Sequence, residues 1–282
     1  MAEWRPITKS RKNGFPRIMG IINVTPDSFF KNSRLNNIDL IVERAIHMVD
    51  NGADWIDIGG ESTRPGAGFV SPEKELLRIS KAIEYVRDAL PDIGISIDTR
   101  KSVVAKEAII NGADMINDVS GLSDSEMKSI VLENKCPICI MHMKGLPRDM
   151  QNNPSYSNVV EEVLDYLNKK VAALVGAGVS LGQILIDPGF GFGKKLEHNV
   201  SLLQNLTKFR EIGCPILVGL SRKSMLGLIT EKQDSADRLG SSVAAAIFAV
   251  GQGADIVRVH DVNETRDALV AWQFFSDGTL SE

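Results

Sequence analysis

The 282-residue chain predicts a single-domain (β/α)8 barrel, and three features of its sequence carry that prediction. Eight short apolar segments alternate with helical ones at about 35 residues per unit, which suits a repeated strand–helix module. A four-residue signature precedes three of the strands: Asn51-Gly52-Ala53-Asp54, Asn111-Gly112-Ala113-Asp114 and Gln252-Gly253-Ala254-Asp255. Almost every strand also delivers a polar or charged residue near its C-terminal end, where the strands of such a barrel converge on one mouth. A doubly wound open sheet is the alternative. It would want a G-x-G-x-x-G loop opening the first helix, whereas Gly189-Phe190-Gly191-Phe192-Gly193 follows a late strand.

Taken in order, residues 1–16 are polar and form an N-terminal arm, either flexible or a short hairpin over the barrel bottom, and 17–282 form the barrel. Residues 17–23 (RIMGIIN) are the first strand and run into a loop with Pro26-Asp27-Ser28. Ile38, Ile41, Ala45, Met48 and Val49 mark one face of a helix over 38–51. Further strands begin at Trp55 (WIDI), Ile93 (IGISID), Met115 (MINDV), Ile138 (ICIMH), Ile184 (ILID), Ile216 (ILVG) and Ile256 (IVRV). Helices are expected over 71–90, 102–111, 124–134, 156–176, 197–212, 236–251 and 262–276. Ser71 with Pro72 supplies one start signal. Ser123 with Glu126, and Asp261 with Glu264, fit capping boxes or near variants. In the repeated signature the glycine reads as a helix C-cap. The residue five after it is polar within an apolar strand each time: Asp57, Asn117 and Arg258. Buried polar groups need partners, and a ligand can be one.

Composition narrows the partners. Net charge is −4, so no general attraction to nucleic acid or anionic membrane is expected. The longest apolar run, 243–250, has eight residues, far short of the roughly 20 that span a bilayer. The N-terminus has no signal-peptide core, so a cytoplasmic address is expected. Three cysteines argue against a disulfide framework. Cys136 and Cys139 are formally C-x-x-C, but positions three apart on a strand face opposite ways, and no second pair completes a zinc site.

The stretch 55–67 (WIDIGGESTRPGA) is a strand that breaks into a polar loop carrying Glu61, Ser62, Thr63 and Arg64 before the Pro65-Gly66 turn. The other strand ends supply Asn23, Asp98, Asn117, His142, Asp187, Ser221-Arg222-Lys223, and Arg258 with His260. Arg64, Lys223, Arg258 and His260 form a cationic set, and Asn23, Asp98, Asn117 and Asp187 a set of acceptors and amides. Such a mouth fits a ligand with a phosphate end and a donor-rich end. Plainer readings stay open for some of them. Asp98 could pair with Arg100 or Lys101, and His142 could be a core histidine. His47 and His198 read as surface residues.

At this point the chain resembles the dihydropteroate synthases of bacterial folate biosynthesis. The matching segments are MGIINVTPDSF, DIGGESTRPGA, SIDTRK, INDVSG, MHMKG, DPGFGFGK, VGLSRKS, RLGSS and RVHDV, in the family's order and across nearly the whole chain. The resemblance implies a barrel enzyme that joins p-aminobenzoate to 6-hydroxymethyl-7,8-dihydropterin diphosphate and expels pyrophosphate. It implies that Asp98, Asn117, Met141, Asp187 and Lys223 line a pterin pocket. Thr63, Arg64, Pro65, Phe190 and Ser224 would shape the p-aminobenzoate side. Asn23, Arg64, Arg258 and His260 would bind the diphosphate, with Mg2+ on Asn23. Asp98, Lys223, Arg258 and His260 are the implied catalytic set, and a homodimer is the implied assembly.

One departure stands out. Phe30-Lys31-Asn32-Ser33 puts a positive charge where the family usually has a carboxylate, so the first loop is expected to be anchored differently in an active enzyme. Three rivals remain: a pterin-binding methyltransferase with a corrinoid partner, a non-catalytic pterin-binding protein, and a phosphosugar barrel enzyme. The first gives no reason for Arg258-x-His260 and the third leaves Asp98 and Asp187 without donors to read.

Overall fold

Strands enclosed on both sides must be apolar on both sides, and Arg17–Asn23 (β1) is buried from Ile18 to Ile22. The other strands are likewise buried, with Arg258 of the last partly exposed: Trp55–Gly59 (β2), Gly94–Asp98 (β3), Met115–Asp118 (β4), Ile138–Met141 (β5), Ile184–Asp187 (β6), Leu217–Val218 (β7) and Ile256–Val259 (β8). The computed structural model describes residues 15–24, 34–64 and 66–278. Residues 1–14 of the N-terminal arm, the first loop with Asp27 and Lys31, and Pro65 lie outside the described residues.

All strand pairs are parallel, in the order β6-β5-β4-β3-β2-β1-β8-β7. A bridge between Ile186 and Ile216 joins β6 to β7, and the Ile186 N–H donates to the Pro215 carbonyl at 3.0 Å. The eight strands therefore run round a ring, as the (β/α)8 prediction requires. The α-helices among the described residues are Arg34–Asp50 (α1), Pro72–Ala89 (α2), Ser102–Ile110 (α3), Met127–Asn134 (α4), Val159–Gly176 (α5), Leu196–Gln204 (α6), Ser224–Thr230 (α7), Leu239–Gly251 (α8) and Val262–Asp277 (α9).

Two apolar layers result. Met19, Trp55, Met115, Cys139, Leu185, Leu217 and Ile256 fill the barrel interior. A larger cluster, including Ile18, Ile56, Ile83, Ile95, Ile138 and Phe209, lies between strands and helices. Cys136 belongs to the outer layer and Cys139 to the inner one, so the two thiols do face opposite ways, and the cysteines are free and buried.

The recurring Gly-Ala-Asp turn has a mechanical reason. Gly52, Gly112 and Gly253 have φ of 96°, 109° and 98°, the left-handed conformation that ends a helix cheaply only at glycine. The aspartate that follows latches the neighbouring strand. The Asp54 carboxylate accepts the Ile18 N–H at 2.9 Å, Asp114 that of Ile95 at 2.8 Å, and Asp255 that of Ile216 at 2.9 Å. Each also donates its own N–H to the carbonyl of the same residue, at 2.8 to 2.9 Å. The β5–β6 pair uses another device, the Gln183 amide donating to the Lys135 carbonyl at 2.7 Å.

Some local expectations change. Ser71 caps α2 as expected, its hydroxyl accepting the Lys74 N–H at 3.4 Å. The Ser123/Glu126 box does not form. Asp124 competes with it, accepting the N–H groups of Glu126 at 3.0 Å and Ser102 at 2.8 Å, and α4 starts only at Met127. Nor does Asp261 cap α9, because its carboxylate is taken by Arg222 at 2.5 and 3.0 Å. The helix expected over 197–212 divides at Asn205 into α6 and a 3-10 turn, Leu206–Ile212. The one over 236–251 opens with a 3-10 turn, Ser235–Arg238. The short helix α7 was not foreseen.

Candidate active site

Strand alternation sends Asp57, Asp98, Asn117, Met141, Asp187 and Arg258 toward the barrel axis, above the apolar inner layer. Three of them form one hydrogen-bonded group with Asp57, which is fully buried. Arg258 Nε donates to Asp57 Oδ2 at 2.6 Å, and its terminal nitrogen reaches Asp98 Oδ2 at 2.9 Å. The Asn117 amide lies 3.4 Å from Asp57 Oδ2. Asp98 therefore pairs with Arg258, while Arg100 and Lys101 go to Glu61 instead. Burial pushes Asp98 up from the ordinary carboxylate range, against the pull of Arg258. The guanidinium holds its proton more tightly than usual because two carboxylates flank it.

Across the mouth, Asp187 Oδ1 accepts the Gly189 N–H at 2.7 Å. Burial raises its carboxyl, with Lys223 pulling the other way. Lys223 donates to the Phe190 carbonyl and sits 4.5 Å from the Phe192 ring centroid. Burial pulls its ammonium down to about 8, with Asp187 opposing. His260 Nδ1 is 3.0 Å from Ser221 Oγ, and burial beside Arg258 depresses the ring to about 3, so it is neutral at pH 7.

The remaining predicted residues stand at the rim. Asn23 ends β1 half-buried, in register with Gly59, which is in turn in register with Asp98. Phe190 is fully buried, Thr63 half-buried, and Arg64 and Ser224 are exposed. Among the described residues no side-chain hydrogen bond joins Thr63, Arg64 or Ser224 to the central group. Arg258, read from the resemblance as a diphosphate ligand, here gives its guanidinium to two carboxylates.

Two residues were missed as site residues. Asp57 was noted only as a polar strand residue, although it holds the same offset in the repeat as Asn117 and Arg258. Glu61 was read as part of a polar loop. Its buried carboxylate accepts the Val70 N–H at 3.0 Å, Arg100 at 3.0 and 3.1 Å and Lys101 at 2.8 Å. It draws together the two ends of the 61–70 loop, and these donors hold it at about 2 despite burial. His142 is a buried core histidine contacting Lys194, depressed to about 2 by burial and by that lysine.

No group of three His, Cys, Asp or Glu placed to hold a metal occurs among the described residues. No helix among them is long and apolar enough to cross a membrane.

A family model described as pterin binding enzyme matches residues 19–260. The dihydropteroate synthase of Haemophilus influenzae is 46% identical over 258 residues, covering 92% of this chain and 93% of the relative. The Yersinia pestis dihydropteroate synthase, solved with a sulfonamide drug, superposes with a TM-score of 0.89 at 39% identity, covering 97% of this chain and 98% of that one. The Xanthomonas albilineans dihydropteroate synthase in complex with 7,8-dihydropteroate gives 0.84 at 39% identity, covering 93% and 94%. With its parallel barrel and its polar inner wall, this chain belongs to the pterin-binding enzyme family, among the dihydropteroate synthases.

Proposed function

We propose that this protein condenses 6-hydroxymethyl-7,8-dihydropterin diphosphate with p-aminobenzoate to give 7,8-dihydropteroate and pyrophosphate. The observation that carries the reading is the inner wall of Asp57, Asp98, Asn117, Asp187, Lys223 and Arg258 at the mouth of a barrel from this family.

The pterin's amino-pyrimidinone edge presents two parallel N–H donors, which one carboxylate accepts side by side. Asp187 fills that role, since Oδ1 keeps a second lone pair beside the Gly189 contact and Oδ2 brings its own. Asn117 donates and accepts beside it, and Lys223 donates to the ring carbonyl. The neutral arylamine needs no strong base at pH 7. In the proposed sequence the C–O bond to the diphosphate breaks first, its electron pair leaves with pyrophosphate, and the methylene carbon becomes cationic. Burial brings Asp98 up to about 7 against the pull of Arg258, and its ionised form stabilises that cation. The amine nitrogen then attacks and loses a proton. His260, Arg64 and Arg258, whose guanidinium is shared with Asp57 and Asp98, are the groups proposed to receive the departing pyrophosphate.

Magnesium is the expected cofactor. Asn23 would supply one amide oxygen to an ion that arrives with the diphosphate and neutralises its phosphate charge.

A homodimer is the proposed assembly. It is supported by an apolar face on α8 and α9, where Ile247, Phe248 and Trp272 line a hollow and Phe274 and Phe275 are exposed. Sedimentation at micromolar concentration tests it, and a monomer would refute it. A cytoplasmic location suits three free thiols.

The test of function is pyrophosphate release with Mg2+ and the pterin diphosphate, with and without p-aminobenzoate. Release that depends on p-aminobenzoate and yields dihydropteroate is expected. Tight pterin binding with no release would instead favour a binding protein or the methyltransferase reading.

A further inference from the structure

The loop after β6 has an unusual feature: every carbonyl from Gly189 to Gly193 receives a side-chain donor. Lys194 Nζ reaches the Gly189 carbonyl at 2.7 Å and that of Phe192 at 3.1 Å. Lys223 donates to Phe190, the Gln151 amide to Gly191 at 2.5 Å, and the Tyr156 hydroxyl to Gly193 at 2.8 Å. A loop with this sequence has little intrinsic shape, because three of its five residues are glycine. Its conformation is set from outside.

Lys194 is the centre of that scaffold. Its side chain is buried, and the same Nζ lies 2.9 Å from His142 Nδ1 and 3.3 Å from the His142 carbonyl. One lysine nitrogen thus ties the loop to the chain at the end of β5. The backbones are as close as they can be. A Cβ on Gly189 would stand 1.9 Å from the His142 carbonyl oxygen, and one on Gly193 2.1 Å from that of Lys144. Burial keeps the His142 ring neutral and pulls the Lys194 side chain well below the ordinary lysine range, so the two nitrogens share a single hydrogen bond. That ring is wedged edge-on against Tyr166 at 4.9 Å, and the Tyr166 hydroxyl reaches the Gly121 carbonyl at 3.3 Å.

The loop's Phe190 carbonyl is the acceptor that aims Lys223, and the Phe192 ring is the face beside it. We propose that Lys194 is a positioning residue for the reaction: it fixes the 189–193 loop against β5, and through the Phe190 carbonyl and Phe192 ring it sets where the Lys223 ammonium meets the pterin. This rests on the proposed function only in naming Lys223's target.

The test is a double-mutant cycle between Lys194→Met and Lys223→Gln. It is read as kcat/KM for the pterin diphosphate well below each variant's Tm, and in parallel as Kd for the free pterin by fluorescence. If Lys194 acts through Lys223, Lys194→Met lowers kcat/KM and pterin affinity about ten-fold in the wild-type background, as misplacing a binding group does. In the Lys223→Gln background its effect then shrinks below about two-fold. Equal losses in both backgrounds, or a fall in Tm with unchanged kcat/KM and Kd, would overturn the proposal. Absence of wild-type turnover would refute the synthase reading alone, because the Kd cycle still decides the role of Lys194. Should Lys194→Met not fold, Tyr156→Phe removes one hydroxyl from the same scaffold and enters the same cycle. An expected loss of about three-fold that vanishes with Lys223→Gln supports the proposal, and no loss opposes it.

Discussion

Arg258 and Asp57 lie 201 residues apart in the chain, yet meet at the barrel mouth with Nε 2.6 Å from Oδ2. Asp57 is fully buried, so the pair is desolvated on that side and has no water to substitute for either partner. Asp57→Asn keeps the shape and removes the charge. Arg258 is then left with Asp98 alone, and its guanidinium swings toward that carboxylate. Breaking a buried pair by removing one partner costs about 3 kcal/mol. We expect a lower urea midpoint and a fall in kcat of about 100-fold, since the charge that stabilises the cation is partly cancelled. Unchanged kcat in Asp57→Asn would assign Asp57 to stability alone.

Lys223 is a charged donor to the pterin carbonyl only while protonated, and burial brings its ammonium down to about 8. The sign follows directly. Above that pH the amine is neutral, its charge and one of its three N–H groups are lost, and kcat/KM for the pterin diphosphate falls on the alkaline side. A pH profile measured from 6 to 10 checks this. In Lys223→Gln the alkaline limb disappears and the plateau lies about 100-fold lower.

Glu61 closes the neck of the loop that carries Thr63 and Arg64. Glu61→Gln leaves Arg100 and Lys101 without its charge and weakens the Val70 N–H contact. The expected result is a KM for p-aminobenzoate raised about ten-fold, with the KM for the pterin diphosphate changed far less. Equal changes in both would place the loop's effect elsewhere.

Acid stability gives an independent check on the core around Lys194. His142 is depressed to about 2 when folded, against the ordinary 6.5 of a free imidazole. Between those values the unfolded chain binds one proton that the folded chain refuses. Its stability contribution is therefore complete above pH 6.5 and is lost as pH falls. His142→Asn removes that proton, so the slope of unfolding free energy against pH between 6 and 4 drops by about 1.4 kcal/mol per unit. An unaltered slope would mean that His142 titrates while folded.

The strands were legible because buried parallel strands write themselves as short apolar runs, and the repeated Gly-Ala-Asp turn marked where three of them begin. Asp98, Asn117, Asp187 and Arg258 were legible because a polar group inside such a run needs a partner, and Lys223 because it follows a strand end. Asp57 was equally visible through its offset from Gly52. What could not be read were partners set by chain folding. Glu61 meets Arg100 and Lys101 about 40 residues on, and Lys194 meets His142 52 residues back. Neither leaves a local pattern. The cap expectations at Ser123 and Asp261 failed for the same reason, since Asp124 and Arg222 offered competing bonds.

The latches made by Asp54, Asp114, Asp255 and Gln183 divide the ring into quarters. Each joins one strand to the turn that introduces the next, giving the couples β1–β2, β3–β4, β5–β6 and β7–β8. A chain break between β2 and β3, or between β4 and β5, leaves every latch whole inside one fragment. A break between β3 and β4 separates Asp114 from Ile95 and opens a quarter. Split and permuted versions of this barrel are therefore expected to reassemble at even-numbered seams and to fail at odd ones, an arithmetic written into the barrel bottom rather than into the mouth where the chemistry lies.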